Sequence, residues 1–157
     1  MKYALDTNVI FRYLKNELPS VKNIDNALAG SHKLYIPKMV DYEVRRGFKL
    51  MHQPSHRKEQ VYKLLTQRCP VIEMDTAIWE RAIDVYKDLC CKGFTVGEMD
   101  ILIAALCLAH DCIIVTNNTK DFENIEGLIT LDWTQPSATP KILAQFIKKY
   151  SVVLELV

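Results

Sequence analysis

Apolar and polar positions along this chain switch between two periods, and the switches mark out a series of strands and helices. Tyr3, Ala4 and Leu5 form a short apolar run that predicts a strand over Lys2 to Leu5, closed by Asp6-Thr7-Asn8. Val9, Ile10, Tyr13 and Leu14 then fall at helical spacing, with Asp6, Thr7 or Asn8 available to cap that helix. A second strand is predicted at Leu34 to Ile36, stopped by Pro37, followed by a helix over Lys38 to Leu50 that carries Glu43. Further on come a helix from Ser55 to Gln67, a strand from Val71 to Met74, and a long amphipathic helix from Thr76 to Lys92 ending at Gly93. The segment Glu98 to His110 is apolar almost all round, as a helix buried in a core must be. Cys112 to Val115 is a β-branched run of the kind found in a central parallel strand, and Leu128 to Leu131 predicts a last one.

Strands alternating with helices through short connections define an α/β fold with a mostly parallel sheet. No internal repeat or low-complexity segment interrupts the order. The expected domain runs over residues 1–133, and residues 134–157 form a C-terminal extension packed on the domain or on a partner. Within that extension Lys141 to Tyr150 predicts a helix, and the chain ends on the apolar Val152-Val153-Leu154-Glu155-Leu156-Val157.

Composition narrows the class. The 157 residues are 49% hydrophobic and 25% charged, the balance of one folded domain and far from disordered or fibrous chains. The apolar run Ile101 to Ala109 is closed by His110 and Asp111 and is too short to span a membrane. The N-terminus reaches Asp6 before any leader-like stretch develops, so a cytoplasmic location is expected. Cys69, Cys90, Cys91, Cys107 and Cys112 show no paired spacing, which argues for reduced, mostly buried thiols. His32, His52, His56 and His110 show no ligand spacing either, so a zinc site is not indicated. The net charge of +1 announces no nucleic-acid partner, and any such surface must come from local clusters such as Lys38, Arg45, Arg46 and Lys49, with Arg57 and Lys58 beyond.

Candidate chemistry lies at strand ends. In open α/β sheets ligands bind beyond the carboxyl ends of the parallel strands, where Asp6 stands and where Thr116-Asn117-Asn118 follow another strand. If those two strands are neighbours, both segments face one pocket. Asp100 opens a helix that must be buried at that end, and a buried carboxylate needs a partner. The plain alternatives are that Asp100 caps its helix, that Glu43 pairs with Arg45 or Arg46, and that Asp121 closes a turn. Taken as a set, the acids repel one another unless a divalent cation sits between them. Hard oxygen donors suit Mg²⁺, with Mn²⁺ able to substitute, and such an ion activates water for attack on a phosphodiester.

The residues also match a known pattern. Leu5-Asp6-Thr7-Asn8, Glu43, Val96-Gly97-Glu98-Met99-Asp100 running into Ile103-Ala104-Ala105, and Ile114 through Phe122 resemble PIN-domain ribonucleases. The similarity is nearest to VapC-type toxins of bacterial toxin–antitoxin pairs, in particular the group that cleaves initiator tRNA, and extends from Met1 to about Trp133. The resemblance implies a PIN-domain sandwich and a homodimeric, Mg²⁺-dependent endoribonuclease that inhibits translation and is silenced by a cognate antitoxin. It makes Asp6, Glu43 and Asp100 the core acids, with Asp6 and Asp100 on the metal. Asp121 takes the fourth acidic position, or Asn117 or Asn118 contributes instead, while Thr7, Asn8 and Thr116 support the carboxylates or the attacking water. The chain departs from the pattern at Gly97-Glu98-Met99, where relatives often have Gly-Pro-Phe, so that an extra acid stands beside Asp100.

Two other classes compete. A phosphatase of the haloacid-dehalogenase kind also places an Asp after its first strand but needs a second acid at the position of Asn8, and an amide cannot deliver the proton. A catalytically silent PIN-like module that binds RNA or an antitoxin would keep the acids without turnover.

Overall fold

The computed structural model describes residues 1–51 and 55–134, and the structural statements that follow concern those residues. The helix expected over Lys141 to Tyr150, and the extension beyond Thr134, lie outside them.

Five parallel strands form one sheet in the order β3-β2-β1-β4-β5. They are β1 (Lys2–Leu5), β2 (Lys33–Pro37), β3 (Val71–Ile72), β4 (Ile113–Val115) and β5 (Thr130–Leu131). Leu5, Ile36, Ile114 and Val115 are completely buried, because helices cover both faces of the sheet and leave no polar side to the inner strands. The chain steps outward from β1 to β3 and then returns to place β4 on the other side of β1. Between β1 and β4 the direction of winding reverses, which is where such sheets open a crevice at their carboxyl ends.

Six helices flank the sheet: α1 (Thr7–Leu14), α2 (Leu18–Ala29), α3 (Lys38–Leu50), α4 (His56–Arg68), α5 (Thr76–Cys91) and α6 (Glu98–Ala109). Local chemistry sets their limits. Asp75 caps α5 by accepting from the Ile78 N–H at 2.9 Å, Ser55 caps α4 through the Lys58 N–H, and Gly93 takes a φ of 76° to leave α5. In α6 the residues Ile103, Ala104, Ala105, Leu106 and Cys107 are all buried, which makes it the central helix of one layer. The α/β architecture and the parallel neighbours β1 and β4 agree with expectation.

One helix differs from the expected order. A single helix was predicted between β1 and β2, and two are present. α2 has no side-chain cap at Glu17, so that start signal is absent, although Pro19 in the first turn suits a helix start. Its apolar residues Val21, Ile24, Ala27 and Leu28 nevertheless keep helical spacing, and Ile24 and Ala27 are buried. β3 and β5 are also shorter than predicted, with two residues each, because only those residues find ladder partners on β2 and β4. Of the five thiols, Cys69, Cys107 and Cys112 are buried while Cys90 and Cys91 stand exposed at the end of α5. No helix of the described residues is long and apolar enough to cross a membrane.

Candidate active site

Asp6 leaves β1 at its carboxyl end and is 6% exposed. Its backbone sits in an extended conformation that caps α1, and its Oδ1 accepts from the Thr7 N–H at 2.6 Å. The other oxygen, Oδ2, accepts from the Thr116 hydroxyl at 2.7 Å and from the Asn8 side-chain amide at 2.5 Å. The carboxylate therefore both caps the helix and faces the crevice, so the two readings of Asp6 hold together. Burial raises its pKa above the ordinary value, and the neighbouring charge of Glu43 adds to that rise. The three donors pull the other way without cancelling it.

Thr116, completely buried at the end of β4, is the hub of the second wall. While donating to Asp6, its hydroxyl accepts from the Asn118 N–H at 3.0 Å and from the Asn8 amide at 3.1 Å. Asn8 Oδ1 in turn accepts from the Asn117 N–H at 3.2 Å. The amide of Asn8 is thus committed on both sides, to Asp6 and to the loop after β4, at the position where a phosphatase requires an acid. Asn118 donates through its side-chain amide to Asp121 Oδ2, in the single 3-10 turn Thr119–Asp121.

Glu43 reaches the site from α3. Its Oε2 accepts from the Thr7 hydroxyl, a contact that joins α3 to the first turn of α1. The expected partners of Glu43 are engaged elsewhere: Arg45 lies 3.7 Å from Asp41, and Arg46 sits over the Tyr42 ring at 5.2 Å from its centroid. Asp41, a buried acid that the sequence pattern did not single out, is held by the Tyr62 hydroxyl at 3.0 Å. Lys38 pairs with Glu73 at 2.8 Å. Half of the cationic face proposed from α3 is accordingly neutralised within the chain, while Arg57 and Lys58 line a separate groove with Lys15 between α1, α2 and α4.

Asp100 completes the set from the first turn of α6. Its pKa is raised to about 6, first by burial and then by the charges of Asp6, Asp121 and Glu43. Four acids from four separate stretches of chain therefore act on one another across the crevice. Gly97 permits the close approach on the α6 side, since a Cβ there would stand 3.0 Å from Asp100 Oδ2. Glu98 takes another direction and lines an apolar groove with Trp79 and Tyr86 on the outer surface of α5 and α6.

These are hard oxygen donors, and the charges of Asp6, Asp121 and Glu43 add to burial in raising the Asp100 carboxyl. Among the described residues no three acidic side chains close around one point at ligating distance. Mg²⁺ does not require that, because it keeps several waters and takes one or two carboxylates directly. The donor set fits such an ion.

The PIN domain pattern matches residues 3–128. The chain belongs to the PIN-domain family. Within it the chain is one of the VapC ribonucleases, metal-dependent endoribonucleases: it is 32% identical over 134 residues to a tRNA(fMet)-specific endonuclease VapC of Shigella flexneri, covering 85% of this chain and 99% of that one. It is similar, at 27% identity and a TM-score of 0.75 over 86% of its length and 100% of the other chain, to VapBC-1 from nontypeable Haemophilus influenzae. VapBC2 from Rickettsia felis, solved with a DNA fragment from their promoter, shares the fold with a TM-score of 0.77 at 24% identity over 85% of this chain and 99% of that one.

Proposed function

We propose that this chain is the toxin of a toxin–antitoxin pair that cuts tRNA, initiator tRNA in particular, using Mg²⁺, with Mn²⁺ able to replace it. The observation that carries the reading is the carboxyl of Asp100, pushed to about 6 by burial and by Asp6, Asp121 and Glu43 together. In this reading Asp6 and Asp100 hold the ion. When bound, the ion offsets the clustered negative charge and stabilises the leaving oxygen of the phosphodiester.

Glu43 accepts the proton of the water that attacks phosphorus, and the bond to the bridging oxygen breaks as the new one forms. The Thr7 hydroxyl holds Glu43 in place for that step. Asn8 and Thr116 fix the rotamer of Asp6, and Asn118 fixes Asp121 at the rim. The tRNA assignment is supported by relatives in Shigella flexneri and Salmonella typhimurium named tRNA(fMet)-specific endonucleases, at 32% and 27% identity. An antitoxin partner is supported by similar solved structures that are VapBC complexes. The protein acts in the cytoplasm as a homodimer.

Incubation of the purified protein with initiator and elongator tRNAs tests this reading. Cleavage that needs Mg²⁺ or Mn²⁺, stops in excess EDTA and disappears in Asp6→Asn is expected. Cutting that continues in EDTA or in that variant overturns the metal mechanism. Equal cutting of all tRNAs overturns the substrate.

A further inference from the structure

α1 and α3 meet at two rungs. Thr7 and Phe11 stand four residues apart on α1, and Glu43 and Gly47 four apart on α3, so each pair shares one face of its helix about one turn apart. The first rung is the hydrogen bond that the Thr7 hydroxyl donates to Glu43. The second is a close approach: a Cβ on Gly47 would stand 2.8 Å from Phe11 Cζ, 3.5 Å from Cε1 and 3.9 Å from Cε2. The ring thus meets α3 tip first, and Phe11 is itself packed against the core.

Gly47 lies in the interior of α3, where glycine is among the poorest helix formers. Its φ lies outside the left-handed region, unlike those of Gly93 and Gly127, so any residue could take that backbone. Space is what requires glycine there. Carbon atoms in ordinary contact stand about 3.5 Å or more apart, so a methyl group added 2.8 Å from the ring tip must open α1 from α3 by about 0.7 Å or turn the ring out of its place.

Among the described residues Glu43 has one side-chain hydrogen bond, the one from Thr7, while Arg45 and Arg46 of its own helix are engaged with Asp41 and Tyr42. Where its carboxylate stands therefore follows from how closely α3 lies on α1. We infer that Gly47 is a positioning residue for RNA hydrolysis: by admitting the tip of the Phe11 ring it sets the separation of α1 and α3 at which Thr7 holds Glu43 in place. This rests on the reading of Glu43 as the group that accepts the proton of the attacking water. Proton transfer works only within hydrogen-bond reach, so a shift of a few tenths of an ångström in α3 slows that step and leaves RNA binding alone.

Cleavage of unfractionated tRNA by the full chain in Mg²⁺, with single turnovers for slow variants, provides the test. Gly47→Ala is expected to lower kcat about 30-fold with KM within about twofold of the wild type. In a Glu43→Gln background the same exchange costs less than about twofold, because no proton acceptor is left to misplace. Phe11→Leu, which withdraws the ring tip, added to Gly47→Ala restores kcat to within about threefold of the wild type. Phe11→Trp thickens the contact from α1 without touching α3 and should show the same loss and the same silence in Glu43→Gln, so the test stands even if Gly47→Ala does not fold. Full kcat in Gly47→Ala, no recovery with Phe11→Leu, or an equal loss in Glu43→Gln overturns the positioning role and leaves the nuclease reading standing. A Glu43→Gln protein as fast as the wild type, or a wild type without activity, overturns the reading of Glu43 and this inference with it.

Discussion

The Thr116 hydroxyl donates to Asp6 Oδ2 at 2.7 Å across 110 residues of sequence, joining the ends of β4 and β1 inside the crevice. That single bond orders both walls, because the same hydroxyl accepts from Asn118 and Asn8. Thr116→Val keeps the shape and removes every one of these contacts. The expected cost is about 2 kcal/mol of stability, since buried groups are left without partners. Donation by Thr116 lowers the pKa of Asp6, so its loss raises that pKa further and penalises the ionised form. The deficit of the metal-free variant, read by urea denaturation, should therefore be greater at about pH 8 than at about pH 5. Thr116→Ser should restore most of it.

That bond also shows what the sequence could reveal and what it could not. Asp6 and Thr116 were legible as strand ends, because β1 and β4 are apolar runs buried on both faces and nothing polar belongs inside them. Asp100 was legible from the apolar length of α6 behind it. Hydrogen-bond partners were not, since Glu43 was as compatible with Arg45 as with Thr7 until α3 was placed against α1. α2 was missed because Glu17 offers no side-chain cap, although Pro19 in its first turn is a start signal. The direction of Glu98 depends on helix rotation, which one residue of drift reverses.

Asp100 should make the metal-free protein sensitive to pH. Its folded pKa of about 6 lies above the ordinary aspartate value of 3.8, so the native state keeps this proton to higher pH than the unfolded chain does. The stability contributed here is complete below about pH 4 and is lost as pH rises through about 6. Asp100→Asn removes that penalty. Its melting temperature in EDTA should exceed that of the wild type at neutral pH and converge with it in acid. Mg²⁺ should raise the melting temperature of the wild type and not of the variant, while cleavage falls at least about 100-fold. A variant that melts below the wild type at neutral pH would mean that Asp100 is held by favourable contacts instead.

Gly97→Ala separates site geometry from folding. The backbone of Gly97 has a φ of −61° and a ψ of 142°, which alanine adopts freely. Its added Cβ, however, stands 3.0 Å from Asp100 Oδ2 and must push that carboxyl aside. Thermal stability should change by less than about 1 kcal/mol, whereas cleavage should slow between about tenfold and a hundredfold. Equal loss of both would place the effect in the helix and not in the carboxyl.

Asp121 decides whether the rim acid belongs to the chemistry or only to its turn. As a turn residue it would be indifferent to the crevice, yet its charge is one of those that raise the pKa of Asp100. In Asp121→Asn the titration of Asp100, followed by NMR in the absence of metal, should shift to lower pH because one repelling charge is gone. The Asn118 side chain loses a charged acceptor at the same time, so the loop after β4 should exchange its amide hydrogens faster. If the charge also serves catalysis, cleavage falls by about tenfold and is not recovered by higher Mg²⁺, as expected of a group that positions water. A rate equal to that of the wild type, with the Asp100 titration displaced all the same, would confine Asp121 to the electrostatics of the resting site.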